Sequence, residues 1–209
     1  GGVPVIKRPQ VLAWLTAPYQ TIAVAGTHGK TTTTAMIVRL LMEAGLDPSF
    51  VVGGVLPGLS NARAGQGPYF VIEADEYDRT FLGLRPQVAV VTNVEMDHPD
   101  CYPTYGDVQA AFTAFLAGVR EGGWVVACAD DPGVAALLPG LPAGRRVLRY
   151  GLGPEGDLRA EAVSLAGLPS FELVSDGRRA ERFDLRVPGL HNVQNALATL
   201  GVAQALGIP

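Results

Sequence analysis

Ala23-Val24-Ala25-Gly26-Thr27-His28-Gly29-Lys30-Thr31 runs an apolar, strand-like segment into a glycine-rich turn, and helical periodicity takes over across residues 30–44. A turn entered from a strand and left through a helix is a phosphate cradle. Its backbone N–H groups and the positive end of the helix dipole face the anion, a lysine reaches the outer phosphates, and a hydroxyl in the position of Thr31 ligates Mg²⁺. The spacing is not the common G-x-x-x-x-G-K-[ST], because Val24 stands where the first glycine would be. The chain has only two lysines, Lys7 and Lys30, and one of them occupies this turn. Gly26, Thr27, His28, Gly29, Lys30, Thr31 and Thr32 are therefore the candidate phosphate-binding residues.

Outward from the cradle, Val/Ile/Ala-rich runs alternate with helical stretches. Strands are expected at 21–25, 49–53, 69–73, 87–92, 124–127 and 146–150, and helices at 30–44, 105–117, 132–138 and 191–206. This alternation predicts an α/β fold, a mostly parallel P-loop-type sheet flanked by helices. The first helix is apolar nearly all round, which predicts that it lies between the sheet and another element, and Gly45 closes it. Asp131-Pro132 reads as an N-cap followed by proline at the first helical position. From 151 to 187 short alternating runs (158–165, 170–174, 182–187) separated by turns such as Asp176-Gly177 predict a small antiparallel sheet near the C-terminal third. The arginine pairs Arg145-Arg146 and Arg178-Arg179 read as solvated faces.

Composition narrows the function classes. With 48% hydrophobic and 17% charged residues, the 209-residue chain is too apolar for a disordered one. Twenty acidic against 16 basic residues argue against a polyanion-binding surface, so nucleic acid is not expected as a partner. The longest apolar runs fall short of a membrane span, and no membrane partner is expected. Two cysteines, Cys101 and Cys128, suit a reducing cytoplasm and read as small hydrophobes. No pattern sets an oligomeric state. The opening Gly1-Gly2-Val3-Pro4, without a methionine, reads as the start of an excised piece.

Three further segments carry chemistry. Phe70-Val71-Ile72-Glu73-Ala74-Asp75-Glu76-Tyr77-Asp78 places four acids within six residues at the end of a buried strand, where open α/β sheets bind ligands and where carboxylates suit Mg²⁺. Glu73, next to the apolar run, is expected to be the best held. Val91-Thr92-Asn93-Val94-Glu95-Met96-Asp97-His98 again ends a strand in polar residues, and His98 is a candidate ligand for a second metal. All three histidines, His28, His98 and His191, fall in these suspected segments. Asn192 and Asn195 share a helix face; their carboxamides either meet an adenine edge or cap the helix.

In order, G-T-H-G-K-T-T-T-T (26–34), E-A-D-E-Y-D (73–78), T-N-V-E-M-D-H (92–98) and P-G-L-H-N-V-Q-N-A (188–196) resemble the central domain of the Mur ligases, the ATP-dependent amino-acid ligases of peptidoglycan synthesis. The resemblance covers almost the whole chain and is closest to the alanine-adding branch. It implies ATP and Mg²⁺, with UDP-N-acetylmuramate and L-alanine as substrates joined through an acyl phosphate. It also implies catalytic roles for Lys30, Glu73 and His98, with metal held by Thr31, Glu73 and His98. His191, Asn192 and Asn195 would lie near adenine, while His28 and Asn61 would approach the acceptor substrate. Many members carry a carbamylated lysine after the D-H segment, but this chain has no lysine after Lys30, which favours the alanine-adding branch. Tyr77 departs towards the form seen in murein-tripeptide ligases, so tripeptide addition stays open, as does a folylpolyglutamate-synthase-like ligase. A non-catalytic nucleotide-sensing module is the alternative from another class. The resemblance further implies that residues 1–20 are a linker from an N-terminal UDP-binding domain and that 21–209 form the ATP-binding domain, with the C-terminal domain beyond the chain.

Overall fold

The computed structural model describes residues 5–209 except 56, 57, 59 and 176. Its strands are β1 (Gln20–Ala25), β2 (Ser49–Val51), β3 (Ala62–Arg63), β4 (Tyr69–Glu73), β5 (Val88–Val91), β6 (Trp124–Cys128), β7 (Arg146–Gly151), β8 (Leu158–Ser164), β9 (Ser170–Ser175) and β10 (Arg178–Asp184). Its α-helices are α1 (Arg8–Thr16), α2 (Lys30–Glu43), α3 (Tyr105–Ala117), α4 (Pro132–Leu137) and α5 (Leu190–Leu206), and a 3-10 segment covers Tyr77–Gly83. The strands form one sheet in the order β10-β9-β8-β7-β6-β5-β1-β4-β2-β3. β2, β4, β1, β5, β6 and β7 run parallel, with β1 between β4 and β5.

Side chains alternate across a strand, and β1 shows it. Ile22 and Val24 point into a cluster with Ile37, Val38 and Leu41 of α2 and Val193 and Leu197 of α5. Ala23 and Ala25 point the other way, into a cluster with Phe112 and Phe115 of α3 and Val134 of α4. On that second face Phe81 stacks on Phe115 at 5.0 Å and meets Phe112 edge-on at 5.4 Å. Such ring pairs contribute about 0.5–1.5 kcal/mol beyond the area they bury. A parallel sheet needs both faces covered, and the continuous Val/Ile/Ala runs satisfy that. α2 is not sandwiched as its apolar sequence suggested: α2 packs on β1 and β4 and α5 on β5 to β8, so the two helices lie side by side on one face of the sheet, and Gly45 follows α2 in the left-handed region at φ 72°. Asp131 caps α4, its Oδ1 accepting from the Val134 N–H at 2.8 Å.

Within the first twenty residues α1 forms, with Gln10 Oε1 accepting from Lys7 N–H at 3.2 Å. The antiparallel strands expected near the C-terminal third form and continue the main sheet: β8 pairs in parallel with the end of β7 through Tyr150–Leu158 and Gly151–Arg159, and β9 and β10 add to it antiparallel. The last of them begins at Arg178, earlier than expected, because Arg178 pairs directly with Ser175 across a two-residue connection. Asp176 of that turn, Gly1–Pro4 at the start, and Leu59 beside Asn61 lie outside the described residues. The arginine pairs are not simply solvated: Arg145 Nε donates to Val119 O, Arg146 sits 4.3 Å over the Trp124 ring, and Arg179 pairs with Glu161 and Glu172.

Candidate functional site: a phosphate cradle at the carboxyl ends of three strands

Adjacent parallel strands β4, β1 and β5 end together and release the three suspected loops side by side. The cradle is fixed from the β5 side. His28 O accepts from Thr92 Oγ1 at 2.6 Å and Asn93 Nδ2 at 3.2 Å, and His28 N–H donates to Asn93 Oδ1 at 2.7 Å. Thr27 Oγ1 accepts from Glu95 N–H at 3.0 Å. Two glycines are required here. Gly26 has φ 139° and a Cβ would collide with Thr92 Oγ1; Gly29, the N-cap of α2, has φ 83° and a Cβ would stand 2.8 Å from Asn195 Oδ1. Side chains of the β5 loop thus fix the conformation of the turn.

Lys30 folds back over the turn. Its Nζ donates to Gly26 O at 2.6 Å and Thr27 O at 3.3 Å, and to both carboxylate oxygens of Glu76 at 2.9 Å. The Glu76 side chain is 3% exposed and the Lys30 side chain 16%, so this is a nearly dry ion pair. Glu76 is held in turn by Tyr102, whose hydroxyl donates to its carbonyl at 2.5 Å; burial pushes the Tyr102 phenol up to about 12 and keeps it a donor.

Two groups of oxygen donors flank the lysine. Thr31 Oγ1 lies 3.2 Å from Glu73 Oε2, and Glu73 Oε1 accepts the Gly53 N–H at 2.8 Å. On the other side Glu76, Asp97 and His98 bring one ligand atom each within 4.8 Å of one another, with His98 Nε2 3.6 Å from Asp97 Oδ2 and 3.8 Å from Glu76 Oε1. His98 holds an unusual φ of 51° and meets the Tyr77 ring edge-on at 5.1 Å. A hydroxyl with a carboxylate, and two carboxylates with an imidazole, are sets that fit hard divalent cations beside phosphate oxygens. Glu73 is not the best-held acid: it is half-buried, whereas Glu76 is buried because it faces Lys30 beneath the loop.

On the α5 side the cradle opens into a cavity of about 140 Å³ lined by His28, Gly29, Thr92, Asn93, Tyr150, His191, Gln194 and Asn195. The structure therefore brings His28 and His191 to one place. The two asparagines are bonded within the fold. Asn195 Oδ1 accepts from Thr33 Oγ1 at 3.1 Å, Asn195 Nδ2 donates to Asn192 Oδ1 at 3.0 Å, and Asn192 Nδ2 donates to Pro188 O at 2.6 Å. Both are buried; Asn195 ties α5 to α2 while also lining the cavity, and the N-cap of α5 is Gly189. Asn61 is exposed, and its carbonyl accepts from Val52 N–H, one residue before the Gly53 that holds Glu73. Thr32 is half-buried in the first turn of α2. Glu76, Asp97, Asp130, Tyr150 and Gln194 were not singled out as site residues from sequence. The acid cluster, the D-H pair and the 188–196 segment were the available signals for Glu76, Asp97 and Gln194; none marked Asp130 or Tyr150.

The Mur ligase middle domain model matches residues 24–203. The chain belongs to the Mur ligase family. A UDP-N-acetylmuramate–L-alanine ligase of Frankia alni is 47% identical over 99% of this chain, which spans 37% of that relative's length. Among solved structures, UDP-N-acetylmuramate:L-alanyl-gamma-D-glutamyl-meso-diaminopimelate ligase from Neisseria meningitides aligns at 32% identity with a TM-score of 0.85, covering 95% of this chain and 65% of that one. UDP-N-acetylmuramate-alanine ligase MurC from Thermotoga maritima aligns at 28% identity with a TM-score of 0.81, over 94% of this chain and 44% of that one. As a Mur ligase middle domain, the chain spans less than half the length of the Frankia relative. No described helix is long and apolar enough to cross a membrane.

Proposed function

We propose that this chain is the Mg-ATP-binding domain of a ligase that joins L-alanine to UDP-N-acetylmuramate. The observation that carries the reading is Lys30 at the mouth of a preformed cradle, with oxygen donors on both sides of it. In the reaction assigned, a carboxylate oxygen of the sugar nucleotide takes the γ-phosphoryl group of ATP and ADP leaves; the alanine amine then attacks the acyl carbon and phosphate leaves. Transfer of this kind is mainly positioning and charge neutralisation. The backbone N–H groups of residues 26–31 and the end of α2 hold the phosphates, and Lys30 neutralises their charge. Thr31 with Glu73, and His98 with Glu76 and Asp97, would hold divalent cations, which when bound screen the phosphate oxygens from the incoming carboxylate. His28, whose side chain is 70% exposed at the rim, is placed to meet the acceptor carboxylate, and Asn61 is assigned a more distant contact with the muramoyl group. Alanine is assigned as the added group on the relatives' identity and on the absence of lysine after position 30.

The test is phosphate release from ATP by the polypeptide that carries this chain, with UDP-N-acetylmuramate and L-alanine supplied together. Release that needs both supports the assignment. Release with the murein tripeptide and none with alanine would move it to the tripeptide branch, and release only with folate and glutamate would overturn it.

A further inference from the structure

Glu76, Asp97 and His98 come together from two loops that the sheet does not join. One loop leaves β4 and the other β5, and both strands pair with β1 instead of with each other, so no ladder bond sets the distance between them. Tyr102 bonds to both loops. Its N–H donates to His98 O at 2.9 Å, and its hydroxyl donates to Glu76 O at 2.5 Å. The ring between these two bonds is 1% exposed, set in the cluster that holds Phe81, Val94 and Val108, and the Arg79 guanidinium lies 5.9 Å over it. The backbone at either end of this tie is strained. Asp78, Arg79 and His98 have φ of 51°, 53° and 51°, a left-handed region that residues other than glycine keep only where their surroundings hold them.

We infer that Tyr102 is a positioning residue for a divalent cation at Glu76, Asp97 and His98, fixing the separation of the two loops so that the carboxylates and the imidazole converge on one point. This rests on the proposed cation-holding role of that cluster. The loops already bring His98 Nε2 to 3.6 Å from Asp97 Oδ2 and 3.8 Å from Glu76 Oε1. Mg²⁺ tolerates little departure from octahedral geometry, so loops free to drift apart would hold it poorly. Groups that orient metal ligands from behind carry a large share of the affinity, and losing one costs on the order of 10- to 100-fold. Tyr102 acts in this way on two of the three donor residues at once, through their carbonyls. Removing its hydroxyl does not strand the Glu76 carbonyl, which also accepts the Arg79 N–H at 3.0 Å. What is lost is the tie between the loops, not the pairing of a buried polar atom.

The test is titration with Mn²⁺, standing in for Mg²⁺ and followed by the paramagnetic resonance of the free ion, with a non-hydrolysable ATP analogue present. It compares the chain with its Tyr102→Phe and His98→Ala variants. Thermal melting shows that each variant folds, and the titrations are run well below the lowest melting temperature. His98→Ala identifies the Mn²⁺ that belongs to this cluster. Tyr102→Phe keeps the ring and should bind that ion at least about tenfold more weakly. A hydroxyl with a merely structural role would lower the melting temperature and leave this affinity unmoved. Tyr102→Phe binding the ion as tightly as the parent chain therefore overturns the inference while the cluster stands as a cation site. Mn²⁺ binding that His98→Ala does not change overturns the cation reading of the cluster itself, and the inference with it.

Discussion

The two ends of the proposed binding region differ in material. Around Lys30 the walls are charged and paired: Lys30 with Glu76, and His98 beside Glu76 and Asp97. At the α5 end three of the eight lining residues are carboxamides, with Asn195 bonded to Thr33 and Asn192, and Gln194 bonded to Asp130. Charge suits a polyanion whose charge must be neutralised, and fixed amides suit a neutral ring that must be read by its hydrogen-bond pattern. The charged end is also the costly one to leave half-built, because a buried charge without its partner costs more than a lost neutral hydrogen bond.

That difference can be broken at either end. Lys30→Ala strands the Glu76 carboxylate in a dry site and should lower stability by about 3 kcal/mol in urea unfolding. Glu76→Ala should cost less, because the Lys30 ammonium is the more exposed partner and reaches water. Equal losses from the two would show that the pair is not asymmetric in this way. At the neutral end Asn195→Ala should cost about 2 kcal/mol, since Thr33 Oγ1 and the Asn192 carboxamide lose a buried partner. Salt probes the charged end: raising ionic strength from about 0.05 to 0.5 M should weaken ATP binding several-fold in calorimetric titration, and an affinity unmoved by salt would mean that charge does not carry the binding.

The smallest effect expected is at the start of α3, where the loop carrying His98 is tied down. The Thr104 hydroxyl and N–H hold the Asp107 carboxyl below its ordinary value, with Thr104 Oγ1 accepting the Asp107 N–H in return. A depressed carboxyl stabilises the fold above the unfolded value and loses that contribution as pH falls through the folded one. Thr104→Ala should therefore destabilise the fold slightly near neutral pH, with the gap to wild type narrowing in acid. A gap that widens on acidification would contradict the cap.

Legibility in the sequence followed the same division. The cradle was readable because its parts are contiguous: glycines, lysine and threonine within six residues, between a strand and a helix whose periodicities differ. The parallel strands were readable from apolar runs, to within two residues at their ends. What pairs across the fold was not. Glu76 could be found as one acid of four, but its burial against Lys30 depends on how β4 sits beside β1. The link between Asp130 and Gln194 spans 64 positions and has no local signature. Helix α1 escaped because Val11, Trp14 and Leu15 are all exposed, so no buried stripe marks it.

The central claim is that Lys30 and its turn form a Mg-ATP site. It is tested most directly by calorimetric titration with a non-hydrolysable ATP analogue and Mg²⁺, on the chain and on a Lys30→Met/Glu76→Gln double variant, which leaves no buried charge unpaired. Saturable, Mg²⁺-dependent binding by the chain and at least tenfold weaker binding by the folded double variant is the result predicted. Equal affinity in the two would contradict it.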